Sequence, residues 1–278
     1  MPEGDALYRF ARRVDAALAG KVILAARAHG PGPVPQVERL TGAMCLGARS
    51  FGKNLFIEFD NGLALRGHLR MYGTWHVYRP GQPWSRPESE ARLVLEVADA
   101  VVVNFSAPVI ELLETRALTL HRPIAGLGPD LIADDFDPAE ALERLRDPLR
   151  ADLTIGDAVM DQQVMAGVGN IWKHETLFRC GVYPWRRVRD MSDEELLGLI
   201  QTARDLLRAS VGKPNGRGLA RRPEMYVYLR AGQPCRRCGT KILSAPQGVD
   251  IRLTAWCPRC QPPPPGCAGP GLSPGRRR

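Results

Sequence analysis

Apolar residues recur at helical spacing near the start of the chain and at strand spacing after it. Residues 5–18 carry an apolar stripe formed by Leu7, Phe10, Ala11, Val14, Ala17 and Leu18. This stripe predicts an amphipathic helix. From Lys21 to about Val109 the apolar runs are short and broken by turns: FIEF (56–59), LALRGHL (63–69), TWHVY (74–78), LVLEV (93–97) and VVVNF (101–105). Runs of this length predict a β-sandwich or barrel, and the Asp60–Asn61–Gly62 turn between the first two is typical of a hairpin.

The second half of the chain returns to helical spacing after a linker at 121–138. Asp137 and Pro138 predict the start of a helix that ends near Arg146, because proline fits the first helical turn. The other segments with a helical pattern are 151–166, 170–179 and 192–210, the last of which begins with a capping box from Ser192 to Glu195. Residues 211–224 predict a basic loop, since they are rich in glycine, proline and arginine.

Four of the seven cysteines form two close pairs, Cys235-x2-Cys238 and Cys257-x2-Cys260. Each pair can present two thiolates from one turn, and four thiolates form the closed shell of a structural zinc ion. We therefore expect one Zn²⁺ held by these four residues, with an iron–sulfur centre as the alternative. The remaining cysteines are expected to pack in the interior (Cys45 and Cys180) or to follow the tail (Cys267).

Composition narrows the class of protein. The 278 residues are 44% hydrophobic, and 38 basic against 30 acidic residues give a net charge of +8. That balance suits a polyanionic partner such as nucleic acid. We expect no membrane association, because no stretch approaches the roughly 20 apolar residues of a membrane helix. The start of the chain lacks the pattern of a signal peptide, so a cytoplasmic protein is expected.

Four motifs, taken in order, resemble one family. The chain begins Met1-Pro2-Glu3-Gly4, carries a lysine in SFGKNLFIEF (50–59), continues with MDQQVMAGVGNIWKHETLF (160–178) and ends with the cysteine pairs around IRLTAWCPRC (251–260). This order is similar to that of the formamidopyrimidine-DNA glycosylase and endonuclease VIII family of base-excision repair enzymes. MPEG, HLRMYG (68–73) and SAPVIELL (106–113) look most like the endonuclease VIII branch, which implies oxidised pyrimidines as substrates.

The resemblance covers roughly residues 1–261 and implies an α+β fold. Its parts are a catalytic N-terminal β-sandwich with a leading helix (1–120), a helical DNA-binding domain with a helix–two-turn–helix (121–224) and a zinc ribbon (225–261). The tail (262–278) is too poor in apolar residues to fold, so we expect it to be disordered. The resemblance also implies damaged DNA as the partner, no organic cofactor and a monomer, located in the cytoplasm and on the nucleoid if the source is bacterial.

The chemistry implied for the family falls first on Pro2 and Glu3. Removal of Met1 would expose Pro2 as a secondary amine, and an α-amino group has a pKa near ~8, so part of it is unprotonated at neutral pH. That amine would attack C1′ of the damaged nucleotide and form a Schiff base. Glu3 is expected to act as the general acid beside it.

Other residues match positions where the family holds DNA. Lys53 and Arg252 are expected to contact phosphates and assist β- and δ-elimination, and Asn170 to bind phosphate at a helix start. Arg70, Met71 and Tyr72 match the loop that fills the space left by the extruded nucleotide. In an ordinary turn, by contrast, Met71 would lie in the core and Arg70 on the surface.

Two positions depart from the family. Asp5-Ala6 stands where Pro-Glu is common, so a carboxylate at position 6 is absent, and Gly126 stands where a DNA-contacting arginine is frequent. These departures bear on substrate range and efficiency. Two alternatives stay open: an enzyme for 8-oxoguanine and formamidopyrimidines, and a DNA-binding protein that senses damage without catalysis.

Overall fold

The computed structural model of the chain describes residues 2–30, 33–211, 224–265, 267 and 270. By its internal contacts the chain divides into two units, Met1–Gly126 and Leu127–Arg278. The predicted separation of the second unit into a helical domain and a ribbon domain stays a prediction. The predicted loop at 211–224 falls almost wholly outside the described residues, as does most of the predicted tail.

The described residues of the first unit form a leading helix, eight strands and a short second helix at the end. The elements are α1 (Gly4–Leu18), β1 (Ala25–Ala28), β2 (Cys45–Phe51), β3 (Asn54–Phe59), β4 (Leu63–His68), β5 (Thr74–Tyr78), β6 (Ala91–Val97), β7 (Ala100–Phe105) and β8 (Val109–Glu114). The strands form two antiparallel sheets in the orders β1-β6-β7-β5 and β2-β3-β4-β8. The unit ends with a 3₁₀ turn at Thr115–Leu120 and the short helix α2 (Arg122–Ala125).

The core of this unit follows from the two periodicities of its sequence. Val14 and Leu18 of α1 are fully buried, and so are Leu55 and Ile57, which alternate along β3. All four belong to one hydrophobic cluster. Full burial of each such side chain contributes about 1.5–3 kcal/mol relative to exposure. The predicted leading helix and β-sandwich are therefore both present.

The second unit carries four helices and a hairpin within its described residues. The elements are α3 (Pro138–Leu145), α4 (Ile155–Ala158), α5 (Asn170–Arg179), α6 (Asp193–Val211), β9 (Leu243–Gln247) and β10 (Arg252–Trp256). The predicted caps are both formed. Asp137 accepts a hydrogen bond from Ala139 N at 2.8 Å, and Ser192 and Glu195 exchange bonds at 2.8 and 3.2 Å. Every helix in the described part of the chain is too short or too polar to span a bilayer.

The prediction of a helix over 151–166 is wrong. Only α4 is helical there, capped by Thr154, whose side chain accepts from Asp157 N. Beyond α4 the backbone forms only turns, and it also pairs with the preceding segment: Ala166 N donates to Pro129 O at 2.9 Å, and Gly128 N donates to Gln162 O at 2.8 Å. These tertiary contacts bury the apolar residues of the stretch. The spacing of those residues resembles a helical pattern although they do not form a helix.

The prediction that Cys267 belongs to a disordered tail is wrong. This residue is half-buried and packs against the aromatic cluster formed by Tyr183, Trp185 and Trp256. Cys45 behaves as predicted: it is buried in the sandwich core, and burial raises its pKa to about 11. A thiol with so high a pKa is unreactive at neutral pH.

Candidate active site

Pro2 and Glu3 lie directly before α1. Glu3 is only 1% exposed, and its carbonyl oxygen accepts from the amides of Ala6 and Leu7 at 2.9 and 3.1 Å. The N-terminus of a helix carries a partial positive charge, which stabilises carboxylates placed there. The buried carboxylate of Glu3 therefore belongs to the residue directly after Pro2, whose ring nitrogen is the candidate nucleophile.

Asp5 is also buried, and its carboxylate accepts from Arg9 at 2.8 Å, one helical turn further on. Ala6 is partly exposed. Neighbouring residues on a helix point about 100° apart. Asp5 therefore does not occupy the place of the carboxylate that the resemblance leads one to expect at position 6.

Lys53 lies in the tight turn between β2 and β3, beside Gly52, whose φ of +56° is one that glycine adopts readily. Across the next hairpin Asn54 pairs with His68, so His68 lies close to this turn. The pKa of His68 is lowered to about 4, mainly by burial. The positive charges of Arg66, Lys53 and Arg70 add to this shift.

These four residues form a basic cluster, defined here as Lys53, Arg66, His68 and Arg70. Arg66 is buried and is held by Asn54 Oδ1 at 2.9 Å and Glu111 Oε2 at 2.6 Å. Lys53 is partly exposed and Arg70 is exposed, whereas Arg66 is paired with Glu111, so Lys53 and Arg70 are the members of the cluster that an anion can reach. Sequence reasoning did not single out His68, although it opens the motif HLRMYG.

The loop between β4 and β5 presents its side chains to solvent. Met71 and Tyr72 are 60% and 75% exposed, and Arg70 adopts a φ of +43°. Leu69 below them is buried, and its carbonyl accepts from Gly73 N at 3.1 Å. Met71 is thus not a core residue, which argues against the ordinary-turn interpretation. An exposed apolar pair on a tight turn has the form of a wedge.

Asn170 begins α5 after a glycine-rich turn in which Gly167 has a φ of +114°. Gln162 holds this turn, since its side chain donates to Met160 O and Val168 O and accepts from Gly167 N. Sequence reasoning missed Gln162, because glutamine alone carries no signal for such a role. Within the described part of the chain, Oδ1 of Asn170 has no hydrogen-bond partner.

Arg252 is the first residue of β10, at the end of the ribbon hairpin. Its guanidinium donates two hydrogen bonds to Asp250 Oδ2, at 2.9 and 3.2 Å. The side chain is 36% exposed, so a phosphate can reach it. The two-pronged guanidinium suits phosphate oxygens as it suits a carboxylate.

The four paired cysteines converge as the sequence predicts. Their sulfur atoms all lie within 4.8 Å of one another, with Cys235 and Cys260 3.9 Å apart and Cys238 and Cys257 3.5 Å apart. Tetrahedral zinc with Zn–S bonds of about 2.3 Å needs sulfur atoms roughly 3.8 Å apart. The residues present therefore fit one structural zinc ion.

Three family models match the chain along its length. The formamidopyrimidine-DNA glycosylase N-terminal domain matches residues 1–108. The formamidopyrimidine-DNA glycosylase H2TH domain matches residues 127–219. A zinc finger found in FPG and IleRS matches residues 232–263.

A probable endonuclease 8 2 from Streptomyces coelicolor is 40% identical over 282 residues, covering 100% of this chain and 98% of the relative. The chain belongs to the formamidopyrimidine-DNA glycosylase and endonuclease VIII family. Another family member, the DNA-(apurinic or apyrimidinic site) lyase Nei2 of Mycolicibacterium smegmatis, is 36% identical, covering 94% of this chain and 99% of the relative. Endonuclease 8 of Escherichia coli is 30% identical, with 94% and 100% covered.

Solved structures of the family share the fold. Lactococcus lactis formamidopyrimidine-DNA glycosylase, non-covalently bound to DNA containing an abasic site, has a TM-score of 0.81 at 24% identity, covering 94% of this chain and all of that one. The same enzyme with DNA containing an oxidised pyrimidine gives a TM-score of 0.80 at the same identity and coverage. Family membership confirms the predicted α+β class and the zinc ribbon, whereas the roles of individual site residues stay predictions.

Proposed function

We propose that this chain excises oxidised bases from DNA, pyrimidines foremost, and then cuts the strand through a Schiff base on Pro2. As a family member it is a bifunctional DNA glycosylase and AP lyase of base-excision repair. The observation that carries the proposed chemistry is the burial of Glu3 directly beside Pro2, at the start of α1.

The reaction begins with the ring nitrogen of mature Pro2. Its lone pair attacks C1′, the bond from C1′ to the base breaks, and the base leaves with the electron pair. Glu3 supplies the proton to the sugar ring oxygen as the bond from C1′ to that oxygen breaks, and the proton that the amine loses on forming the Schiff base neutralises the departing base. Removal of a proton from C2′ then expels the 3′ phosphate, and a second elimination expels the 5′ phosphate.

The remaining candidates hold the DNA in this proposal. Lys53 and its basic cluster bind phosphate in the first unit, and Asn170 and Arg252 bind phosphate in the second. Arg70, Met71 and Tyr72 enter the space that the extruded nucleotide leaves. The protein acts as a monomer in the cytoplasm, on the nucleoid if the source is bacterial.

Borohydride trapping tests the proposal. The protein is incubated with duplexes that contain an abasic site, thymine glycol or 8-oxoguanine, and the covalent adduct is measured. A Gly-Ser insertion before Pro2 converts the ring nitrogen to an amide, so we expect it to abolish the adduct. The same insertion at the C-terminus is the matched control and is expected to leave the adduct intact. An adduct on the N-terminally extended variant would move the nucleophile elsewhere.

Glu3→Gln separates the two activities. An abasic site has no base to expel and exists partly as the ring-opened aldehyde, so it depends less on a proton from Glu3. We therefore expect excision of thymine glycol to fall by about 100-fold or more and abasic-site cleavage to fall less. Faster excision of 8-oxoguanine than of thymine glycol would favour the purine alternative. Absence of any adduct with the wild-type protein would favour the damage-binding alternative.

A further inference from the structure

A chain of buried polar side chains joins α5 to the ribbon hairpin. Lys173 is fully buried, and its Nζ donates to Thr254 Oγ1 at 2.7 Å. Thr254 Oγ1 donates in turn to Gln247 Oε1 at 2.9 Å. Gln247 Nε2 continues the chain to Thr154 Oγ1 at 2.9 Å, at the start of α4. This series of hydrogen bonds therefore runs from α5 through β10 and β9 to the start of α4.

His174 forms a second bridge beside the first. Its Nε2 accepts from Ala255 N at 2.8 Å, and its Nδ1 lies within hydrogen-bond distance of Asn170 O. Burial, assisted by the charge of Lys173, lowers the pKa of His174 to about 3, so the ring is neutral and donates through one nitrogen only. The carbonyl of Asn170 is thus connected to the backbone of β10 through one imidazole.

Both bridges include residues that lie next to Asn170 and Arg252, the two phosphate-binding candidates of this unit. Lys173 follows Asn170 by three residues, so the two lie on the same face of α5. Gln247 is the direct cross-strand partner of Arg252. Thr254 follows Arg252 by two residues, which places both on the same face of β10.

A purely structural contact does not require this chemistry. Placing an ammonium group in the interior carries a large desolvation cost, and apolar side chains of similar volume are often at least as stable there. Hydrogen bonds, in contrast, fix direction and register. They depend on direction, so they define the alignment of the hairpin on the helix more narrowly than apolar packing does.

We propose that Lys173, Thr254 and Gln247 are positioning residues that hold Asn170 and Arg252 in register as one phosphate-binding unit. The proposal rests on the DNA-binding roles assigned to those two residues above. The positive charge of Lys173, one helical turn from Asn170, also favours an anion at the start of α5.

A double-mutant cycle on the full-length protein tests this. Affinity for a duplex with a tetrahydrofuran abasic-site analogue is measured for wild type, Thr254→Val, Arg252→Ala and the double variant. If Thr254 acts through Arg252, Thr254→Val weakens binding about fivefold in the wild type and has little further effect once Arg252 is removed. Equal effects in both backgrounds would overturn the proposal.

Thr176→Val is the matched control, since Thr176 is buried on α5 and its hydroxyl has no hydrogen-bond partner among the residues described. We expect it to bind DNA as the wild type does. Thr254→Ser keeps the hydroxyl and should restore affinity even if Thr254→Val folds poorly. Binding by Thr254→Ser as weak as by Thr254→Val would overturn the proposal. A wild-type protein that traps no adduct would instead contradict the proposed function.

Discussion

A Cβ atom on Gly156 would lie 2.4 Å from Oε1 of Gln247. The helix α4 can approach the ribbon hairpin only because residue 156 lacks a side chain. Gly156→Ala forces the amide of Gln247 to move and breaks its bond to Thr154, so we expect the free energy of unfolding to fall by about 1–3 kcal/mol. Denaturant unfolding followed by circular dichroism measures this.

Gly198→Ala is the control for that substitution. Gly198 lies on the exposed side of α6, and no atom would come within 4 Å of a new Cβ. Alanine is the better helix former, so we expect a gain of about 0.5–1 kcal/mol. Equal stability of the Gly156→Ala protein and the wild type would mean that the close packing is not required.

Glu175 is a buried carboxylate that orders a loop. It is 2% exposed and accepts hydrogen bonds from the backbone amides of residues 226, 227 and 228 at 2.8, 3.1 and 3.0 Å. Glu175→Gln replaces one acceptor oxygen by a donor, so we expect a loss of about 1–3 kcal/mol and faster hydrogen exchange at these three amides. Glu143→Gln, on the exposed face of α3, should change neither. Unchanged exchange at 226–228 in Glu175→Gln would contradict the prediction.

His68 makes stability depend on pH. Its pKa is about 4 in the folded protein and 6.5 in the unfolded chain, so the unfolded chain binds a proton first as the pH falls. The free energy of unfolding is therefore level above pH 6.5 and falls between pH 6.5 and 4, by up to about 1.4 kcal/mol per pH unit for one proton. We expect His68→Gln to remove this contribution. Urea unfolding of both proteins at pH 4–8 measures it, and identical slopes below pH 6.5 would contradict it.

Removal of zinc should disable the ribbon. The four cysteine sulfur atoms lie within 4.8 Å of one another, and without the ion no metal–sulfur bonds hold them together. The hairpin then loses its order, and Arg252 at the start of β10 loses its fixed position. We expect a chelator to increase hydrogen exchange over 243–256 and to abolish strand cleavage, while strands β3 and β4 stay protected. Strand cleavage by protein shown to be free of metal would rule this out.

Local signals in the sequence predicted much of the molecule. The spacing of Leu7, Val14 and Leu18 predicted α1, and the two cysteine pairs predicted the metal site, because each pattern acts over a few residues or through specific chemistry. Strand β1, with the sequence AARA, carried no strand signal. It forms because Ala25 to Ala28 pair with the edge of β6, which is a tertiary effect.

Long-range contacts were not predictable. Lys173 is charged and sits in a helical pattern, which suggests a solvated face, yet it is fully buried by a hydrogen-bond partner 81 residues away. Arg66 is buried for the same reason, through Glu111, 45 residues away. In both cases the partner that makes burial tolerable is distant in the chain.

The interior ammonium of Lys173 also bears on how the second unit comes apart. Peeling the hairpin from α5 would break the bond from Lys173 to Thr254 and the bond from Ala255 to His174 together. A half-detached ribbon would therefore lose these contacts without the conformational entropy that full unfolding gains. We expect the hairpin and α5 to melt in one cooperative step, so that Asn170 and Arg252 lose their ordered positions at the same temperature.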